Sequence, residues 1–358
     1  MMNNRLRKLR DLLIEKNCDS CLILGRANTL YYSGFTGSTS YLLVGIDKAW
    51  LIVDFRYAIQ AREQVNDEVE VIDINESFYS ALREIIRNNS IDIIGFEGQV
   101  LTVSEYNRIK AEIAEIKSLI SLESSIDRIR IIKDSEEIED IQQAVLLGDK
   151  VFEHIIKYVK PGMKETELAA EIEYKMKKLG AKKPSFETIV AAGSRSAMCH
   201  GTATENVLKN GDAVVLDFGV IYRNYCSDMT RTIFIGEPNK ELRKIYDIVI
   251  TAQQAALNGI ISGMSGYQAD KIARDIIEAN GYREAFGHSL GHGVGIEIHE
   301  APRLSANSDD ILEDGMVFSI EPGIYVEGLG GVRIEDLVVL TDGKIRNFTT
   351  SPKDMIII

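Results

Sequence analysis

Two acidic residues flank a predicted turn in the stretch VVLDFGVIYRNYCSDMTRT. Asp217 ends an apolar run, and Asp228 stands just before a second run, MTRTIFIG. Apolar and β-branched runs on either side of the turn-forming pair Arg223-Asn224 predict a β-hairpin. Because side chains alternate along a strand, both carboxylates are expected on one face of this hairpin.

The register of this hairpin stays open at the level of sequence. A turn centred on 222–223 puts Asp217 directly opposite Asp228, whereas a turn centred on 223–224 puts Asp217 opposite Thr230 with Asp228 as its diagonal neighbour. Like charges paired across strands destabilise a sheet, and burying an unpaired carboxylate is costly. Unless this face is simply solvated, positive charge must lie between the two acids.

A second acidic hairpin follows later in the chain. The run MVFSIEPGIYV carries Glu321, and GGVRIEDLVVL carries Glu335 and Asp336 before an apolar strand. Alternation puts Arg333 and Glu335 on one face and Asp336 on the other. The pattern alone leaves open which of the two adjacent acids points inward.

Histidines cluster in one segment. Three of the five in the chain, His288, His292 and His299, fall within HSLGHGVGIEIH, which indicates metal binding or acid–base chemistry. A helical zinc motif is disfavoured, because each of the four glycines in GHSLGHGVG would cost about 1 kcal/mol in a helix and no H-E-x-x-H is present. We interpret the segment as a glycine-rich loop leading into a strand, GIEIHE. His154, on the helical stripe VFEHIIKYV, is interpreted as structural.

Four carboxylates and a histidine on converging strands form an oxygen-rich ligand set. Mn²⁺, Co²⁺, Fe²⁺ or Zn²⁺ suits it, and the lack of thiolates disfavours a structural zinc knot. Two ions about 3.5–4 Å apart would neutralise the acids and supply a hydroxide at neutral pH. The sequence therefore predicts a dinuclear metal centre.

The elements that position these residues occur twice. PGMKETELAAEIEYKMKKLG and SGMSGYQADKIARDIIEANG both predict a helix bracketed by glycines, over 162–180 and 263–281. Downstream, Asp217 and Glu321 each lie six residues after one glycine and two before another. The repeat predicts a duplicated unit of helix and hairpin with pseudo-twofold symmetry. The acids of the two halves would then meet at the symmetry axis.

The first part of the chain has a different pattern. Helix-like and strand-like segments alternate up to about residue 125, which predicts an α/β domain. A new helix then begins, capped by Asp134 or Ser135, with Glu136 and Glu137 in its first turn. We place the domain boundary near 125–135.

Composition limits the class of protein. The chain has 358 residues and a formal net charge of −13, with no basic block for nucleic acid and no apolar run long enough for a membrane span. Its N-terminus does not have the pattern of a signal peptide. Four scattered cysteines, Cys18, Cys21, Cys199 and Cys226, fit the reducing cytoplasm. Cys18 and Cys21 form a C-x-x-C pair, but no second pair completes a zinc site.

The motifs resemble those of a known family, the pita-bread metallopeptidases, which includes methionine aminopeptidase, aminopeptidase P, prolidase and the non-metal enzyme creatinase. LDFG…SDMTRT, GHSLGHGVGIEIHEAP, SIEPGIY and GVRIEDLVVL carry the resemblance. NTLYYSGFTGS and VDFRYAIQA resemble the extra domain of the aminopeptidase P and prolidase branch. The resemblance implies a creatinase-like α/β domain over 1–130 and an α+β pita-bread catalytic domain, with its pseudo-twofold repeat, over 131–358.

The resemblance also implies a ligand set, and it selects Glu335 over Asp336. The five implied metal ligands are Asp217, Asp228, His292, Glu321 and Glu335. Asp228 and Glu335 would bridge both ions; Asp217 would complete one site, and His292 with Glu321 the other.

Further roles follow from the same resemblance. His200, in MCHGTAT, His299 and Glu321 are the implied catalytic residues, with Glu321 carrying the proton to the leaving nitrogen and His299 steadying the tetrahedral intermediate. The implied substrate-binding residues are His200, His288, His299, Arg303 and Arg333. Arg303 either binds a substrate carboxylate or is a surface arginine.

The implied function is hydrolysis of the Xaa-Pro bond at the N-terminus of peptides, as in an Xaa-Pro aminopeptidase. The alternative is an Xaa-Pro dipeptidase, or prolidase. A methionine aminopeptidase would not need the N-terminal domain, a creatine-hydrolysing enzyme would lack the ligands, and a non-catalytic peptide-binding module is disfavoured by the intact site. The resemblance further implies Mn²⁺ as the first choice of ion, a peptide with proline at its second position as substrate, and a homodimer.

Overall fold

Short apolar strands alternate with amphipathic helices in the first part of the chain, as the sequence predicts. The computed structural model describes residues 4–358, and the chain divides into two compact units between Arg130 and Ile131. The helices of the first unit are α1 Asn4–Glu15, α2 Arg26–Ser33, α3 Ala58–Gln64, α4 Phe78–Asn89, α5 Val103–Glu112 and α6 Ser125–Arg128. Its strands are β1 Ser20–Ile23, β2 Tyr41–Gly45, β3 Ala49–Val53, β4 Val69–Asp73, β5 Ile93–Phe96 and β6 Ser118–Ser121.

These six strands form one mixed sheet in the order β4-β3-β2-β1-β5-β6. Strand β2 pairs antiparallel with β1 and β3, and the other pairings are parallel. Cys18 and Cys21 are free thiols beside and within β1. Burial raises the pKa of both thiols, which disfavours the thiolate needed for redox chemistry.

The second unit begins with a long helix whose start the sequence predicts. Asp134 caps α7 Ser135–Tyr158 by accepting a hydrogen bond from Glu137 N, and the Glu137 carboxylate in turn accepts one from Asp134 N. The other helices are α8 Glu165–Lys178, α9 Lys240–Gly259 and α10 Gly266–Ala279, with 3₁₀ turns at Gly193–Ala197 and Arg283–Ala285. The strands are β7 Lys183–Pro184, β8 Ile189–Ala192, β9 Ala213–Asp217, β10 Val220–Tyr222, β11 Tyr225–Cys226, β12 Thr230–Phe234, β13 Gly291–Gly293, β14 Glu300–Leu304, β15 Val317–Ile320, β16 Gly323–Val326, β17 Gly330–Arg333, β18 Asp336–Thr341, β19 Lys344–Asn347 and β20 Ile356–Ile357.

The backbone of this unit repeats itself. Gly162 and Gly180 bracket α8, Gly263 and Gly281 bracket α10, and all four have φ between 86° and 97°. A residue with a Cβ is strained there, so glycine is required at both ends of both helices. The N–H of the first glycine in each half donates to a leucine carbonyl, over 2.9 Å in the first half and 2.8 Å in the second. The internal repeat predicted from sequence is present.

Each half packs its own pair of helices on its own sheet. The first sheet has the order β20-β12-β9-β8, and the second has the order β14-β13-β15-β18-β19. One apolar cluster joins Phe152 and Ile172 of α7 and α8 to Val214 of β9. The other joins Val249 of α9 to Phe318 of β15. These buried side chains, each stabilising by roughly 1.5–3 kcal/mol, hold the central strands β9 and β15 rigidly.

No helix within residues 4–358 combines the length and the apolar character needed to cross a bilayer.

Candidate metal centre

The first acidic hairpin adopts the second of the two registers considered from sequence. Asp217 at the end of β9 faces Thr230 at the start of β12. The turn is centred on Arg223 and Asn224, which have φ of 43° and 75°. Two successive positive φ values are typical of a two-residue hairpin turn, whose twist matches that of the flanking strands. The turn is therefore at 223–224 and not at 222–223.

Three carboxylates meet where the two halves come together. One oxygen from each of Asp217, Asp228 and Glu335 lies within 4.8 Å of the other two. These residues are only 8%, 5% and 2% exposed. Burial, and then the charge of neighbouring carboxylates, raises the pKa of Asp228 and of Glu335 well above the ordinary value. The cluster thus concentrates negative charge that needs a cation.

The oxygens themselves fit a cation. Within residues 4–358, neither Oδ1 of Asp217 nor Oε1 of Glu335 receives a hydrogen bond, although both atoms are buried. Buried polar atoms are normally satisfied, so each of these oxygens needs a partner. Carboxylate oxygens with one histidine nitrogen nearby are ligands that divalent ions such as Mn²⁺ accept. The residues therefore fit a divalent metal ion.

Asp336, the first residue of β18, belongs to a different hydrogen-bond network. Its carboxylate accepts hydrogen bonds from Arg231 Nη2 at 2.8 Å and from Gln253 Nε2 at 2.8 Å. Burial would raise the pKa of Asp336, but Arg231 and Lys353 bring it below its ordinary value. Asp336 is thus neutralised by protein side chains, and Glu335 is the acid that points to the cluster.

The remaining two predicted ligands lie beside the three acids. His292 Nε2 is 3.4 Å from Glu321 Oε1 and 3.7 Å from Asp228 Oδ2. Ser319 links them, because its hydroxyl donates to Glu321 Oε1 at 3.0 Å and accepts from His292 N at 3.1 Å. Burial raises the pKa of Glu321 to about 7. All five predicted ligands are therefore brought together.

Arg333 links residues from both halves of the unit by hydrogen bonds. Its Nε donates to Thr230 Oγ1 at 2.9 Å, and Thr230 Oγ1 donates in turn to Glu335 Oε2 at 2.7 Å. Its Nη1 donates to the hydroxyl of Tyr325 at 2.7 Å. Sequence reasoning named Arg333 but missed Thr230, Ser319 and Tyr325. Their position in the motifs SDMTRT and SIEPGIY is the signal that could have identified them.

His288 faces the same tyrosine. Its Nε2 is 3.0 Å from Tyr325 Oη, and its Nδ1 is 2.7 Å from the carbonyl oxygen of Ser289. Burial, with the charge of Arg333, lowers the pKa of His288 to about 4. The ring is therefore neutral at pH 7. Since a carbonyl only accepts, the proton is on Nδ1, and Nε2 accepts from the tyrosine hydroxyl.

The exposed members of the predicted site lie on its open side. His299 packs its ring on that of His292, with 4.4 Å between centroids. His200 is exposed and follows the first 3₁₀ turn. Arg303 is exposed on β14, where it pairs with His292 across the strands. Burial lowers the pKa of His292 and of His299, and the charge of Arg303 lowers both further. Arg303 is thus close enough to influence the site.

One predicted element is wrong. GIEIHE does not form a strand; β14 begins only at Glu300, and His292 lies in the short strand β13 rather than in a loop. The chain turns at Gly295, whose N–H donates to Glu297 O at 3.0 Å. Ile296 and Ile298 pack against an apolar cluster from this turn, which produces the alternating pattern without a strand.

His154 is outside the site, as expected. Its Nε2 lies 2.7 Å from Glu171 Oε1, between α7 and α8.

The site combines buried carboxylates that lack hydrogen-bond partners with a neighbouring histidine. This combination is typical of a metal-dependent enzyme, here built on the two repeated halves of the second unit. Comparison with known proteins gives the family. Residues 139–342 match the model of metallopeptidase family M24, and residues 5–132 match the creatinase/prolidase N-terminal domain. The chain belongs to this metallopeptidase family, in its prolidase and aminopeptidase P branch, and is a peptide-bond hydrolase with the pita-bread fold. Family membership implies divalent metal ions.

Relatives match over almost the whole chain. The Xaa-Pro dipeptidase of Pyrococcus furiosus is 40% identical, covering 99% of this chain and all of the relative. The structure of an Xaa-Pro dipeptidase from Bacillus anthracis has a TM-score of 0.96 at 41% identity, with 99% of each chain covered. The structure of an X-Pro aminopeptidase from Thermotoga maritima has a TM-score of 0.92 at 38% identity, also with 99% of each chain covered.

Proposed function

We propose that the chain hydrolyses the bond before proline in Xaa-Pro dipeptides, with two divalent ions held in the unit 131–358. The proposed ligands are Asp217, Asp228, His292, Glu321 and Glu335. One observation carries the proposal: a cluster of five predicted ligands, three of them buried acids with unsatisfied oxygens, occurs in a chain that is 40% identical, end to end, to an Xaa-Pro dipeptidase. Among the ions that suit these ligands, Mn²⁺ is our first choice.

The bound ions would activate a water molecule and polarise the scissile carbonyl. The protein residues then divide the remaining work. Glu321 takes up the proton of the attacking water and passes it to the proline nitrogen. His299 donates to the developing oxyanion from the open side, and His200 contacts the substrate beside it. Arg333 and Tyr325 hold Asp217 and His288 in place.

Arg303 is the proposed partner of the substrate carboxylate. It is an exposed arginine whose charge reaches His292 and His299, and its own strand partner is His292. A guanidinium in this position can bind a carboxylate through two hydrogen bonds. A dipeptide places its carboxylate on the proline, directly beyond the scissile bond. This supports the dipeptidase over the aminopeptidase, reversing the order expected from the resemblance alone.

The second candidate is an Xaa-Pro aminopeptidase. The Thermotoga relative supports it, and the exposure of Arg303 is compatible with a substrate that continues beyond proline. The homodimer and the cytoplasmic location stay predictions.

Substrate length separates the two candidates. Mn²⁺-loaded enzyme is incubated with Ala-Pro, with Ala-Pro-Ala and with Ala-Ala as the control for proline. We expect rapid cleavage of Ala-Pro, slow cleavage of the tripeptide and little cleavage of Ala-Ala. Faster release of alanine from the tripeptide than from the dipeptide would select the aminopeptidase. Cleavage of Ala-Ala as fast as Ala-Pro would contradict specificity for proline.

A further inference from the structure

Glu165, the first residue of α8, is fully buried, and both oxygens of its carboxylate accept hydrogen bonds. Its Oε1 accepts from Ala192 N at 2.8 Å and from Asn206 Nδ2 at 2.9 Å. Its Oε2 accepts from Thr204 N at 3.0 Å, from Thr204 Oγ1 at 2.8 Å and from Arg195 Nε at 3.1 Å. One side chain thus satisfies donors from four residues.

These donors share a location. All belong to the segment 192–206, near its two ends, and His200 lies in the middle of this segment. Arg195 adds a further tie, because its Nη2 donates to Thr202 O at 2.7 Å. Between the 3₁₀ turn Gly193–Ala197 and β9 the segment forms only isolated bridges. Close to His200 the segment is also held by Arg333 Nη1, which donates to Cys199 O at 3.2 Å, and by Gly201 N, which donates to Met198 O at 3.0 Å. The Glu165 carboxylate differs from these contacts because it joins the two ends of the segment to each other.

The second half of the unit has the same arrangement of helix and opposing segment without a carboxylate at the position of Glu165. Gly266 begins α10 as Glu165 begins α8, and each donates its N–H to the segment opposite: Gly266 to Asp310 O at 2.8 Å, and Glu165 to Asn206 O at 3.0 Å. At Gly266 a Cβ would lie 2.0 Å from Arg303 O, so the start of α10 packs directly against the backbone of β14 and leaves no room for a side chain. The repeated backbone bond holds both helices, and the carboxylate is an addition on the His200 side alone.

The ionisation of Glu165 fits this role. Burial would raise its pKa, but the hydrogen bonds from Asn206, Ala192 and Thr204 bring it below the ordinary value. The group is therefore an anion at neutral pH, and each bond to it is charge-assisted. Loss of the charge would weaken all of these bonds at once.

We propose that Glu165 is a positioning residue, which holds the segment 192–206 so that His200 meets the substrate. This inference rests on the proposed function, in which His200 contacts the substrate. It predicts that Glu165 controls substrate use through His200 and leaves metal binding alone, since its contacts are to this segment and not to the five proposed ligands.

The test is Glu165→Gln, with Glu171→Gln as the matched control. Glu171 is on the same helix but pairs with His154. For Glu165→Gln we expect a loss in kcat/KM on Ala-Pro of about ten- to a hundredfold, mainly through KM, with bound metal unchanged. In a His200→Ala background the same substitution should cause little further loss, because the two residues act as one unit. Glu171→Gln should leave both quantities unchanged.

Loss of metal in Glu165→Gln, or a full additional loss of kcat/KM in the His200→Ala background, would overturn the inference. Hydrogen–deuterium exchange gives a readout that does not depend on activity. Exchange at Ala192 and Thr204 should rise in Glu165→Gln while α8 stays protected, and unchanged exchange would also overturn it. If wild-type enzyme cleaves no Xaa-Pro substrate, the proposed function fails and the exchange data alone decide the positioning. Should Glu165→Gln not fold, Thr204→Val, which removes only the hydroxyl donor, takes its place in the same assays.

Discussion

Arg333 Nη2 lies 2.5 Å from Asp217 Oδ2, in a pair whose side chains are 5% and 11% exposed. The internal repeat explains why a cation stands here. In the first half Asp217 pairs with Thr230, and in the second half the pairing of Ile320 with Asp336 places Glu321 beside Glu335, so Thr230 corresponds to Glu335. Two residues earlier, Asp228 corresponds to Arg333, and one half therefore presents an acid where the other presents a base. The four acidic residues among the predicted ligands thus have the positive charge of Arg333 beside them. It contacts Oδ2 of Asp217 and leaves the other oxygen, Oδ1, unsatisfied.

This relationship predicts the effect of Arg333→Lys. Lysine keeps the charge but cannot reach Asp217, Thr230 and Tyr325 together with a planar fork. We expect metal affinity and kcat/KM to fall about ten- to a hundredfold, the usual range for groups that orient metal ligands. Bound metal and kinetics are measured beside Arg223→Lys, an exposed arginine at the hairpin turn. Identical behaviour of the two variants would remove Arg333 from the site.

Two further variants separate binding of the ions from turnover. Asp228→Asn should lose bound metal and activity together, because its carboxylate lies among the three buried acids and 3.7 Å from His292 Nε2. His299→Ala should keep the metal and lose turnover by about a hundredfold, the scale of one lost oxyanion donor. Metal content by elemental analysis and kcat on Ala-Pro check both. Retention of metal and activity by both variants would contradict the roles assigned.

Chelation tests the dependence on metal directly. Exhaustive treatment with a chelator should abolish hydrolysis of Ala-Pro, and added Mn²⁺ should restore it. The restored enzyme should bind up to two ions per chain, measured by titration calorimetry. Full activity after complete removal of metal would rule out the dinuclear centre.

The acidic cluster also predicts how the stability of the metal-free protein depends on pH. The pKa of Glu321 is raised by burial from 4.5 to about 7, so the folded protein holds this proton more tightly than the unfolded chain. Ionisation of Glu321 therefore lowers the free energy of unfolding as pH rises from about 4.5 to about 7, by on the order of 3 kcal/mol at the upper end. His288, with a pKa of about 4, titrates in the opposite sense below pH 6.5.

The contribution of Glu321 is isolated by comparison with Glu321→Gln, which cannot titrate at this position. The melting temperature of the metal-free variant should exceed that of the wild type by a margin that grows between pH 5 and pH 7.5. A constant margin across this range would contradict the raised pKa. Adding Mn²⁺ at pH 7.5 should raise the melting temperature of the wild type more than that of the variant.

Arg303→Ala tests recognition of the substrate carboxylate. A charge-assisted hydrogen bond of roughly 1.5–3 kcal/mol is at stake, so kcat/KM for Ala-Pro should fall about ten- to a hundredfold. Ala-Pro-Ala, whose carboxylate lies one residue further on, should be nearly unaffected. Arg283→Ala, another exposed arginine, is the control. Equal effects of Arg303→Ala on both substrates would make it a surface residue.

Local pattern was enough for many elements. The spacing of glycines predicted the bracketed helices α8 and α10, and the acid at 134 predicted the start of α7, because both signals act through backbone geometry within a few residues. The same kind of reasoning failed at GIEIHE. There the alternation of Ile296 and Ile298 came from packing of a turn against a distant apolar cluster, which no local pattern contains.

The sequence by itself determined which residues could meet: period-two alternation put Asp217 and Asp228 on one face, and separated Glu335 from Asp336. Alternation did not determine which of these two acids points inward. That choice was made by the tertiary structure, because Arg231, Gln253 and Lys353 come from other elements to neutralise Asp336 and leave the oxygens of Glu335 facing Asp217 and Asp228. The contacts of Tyr325 with His288 and of Glu165 with the His200 segment were decided in the same way. Each depends on contacts between residues far apart in the chain, and folding alone brings these together.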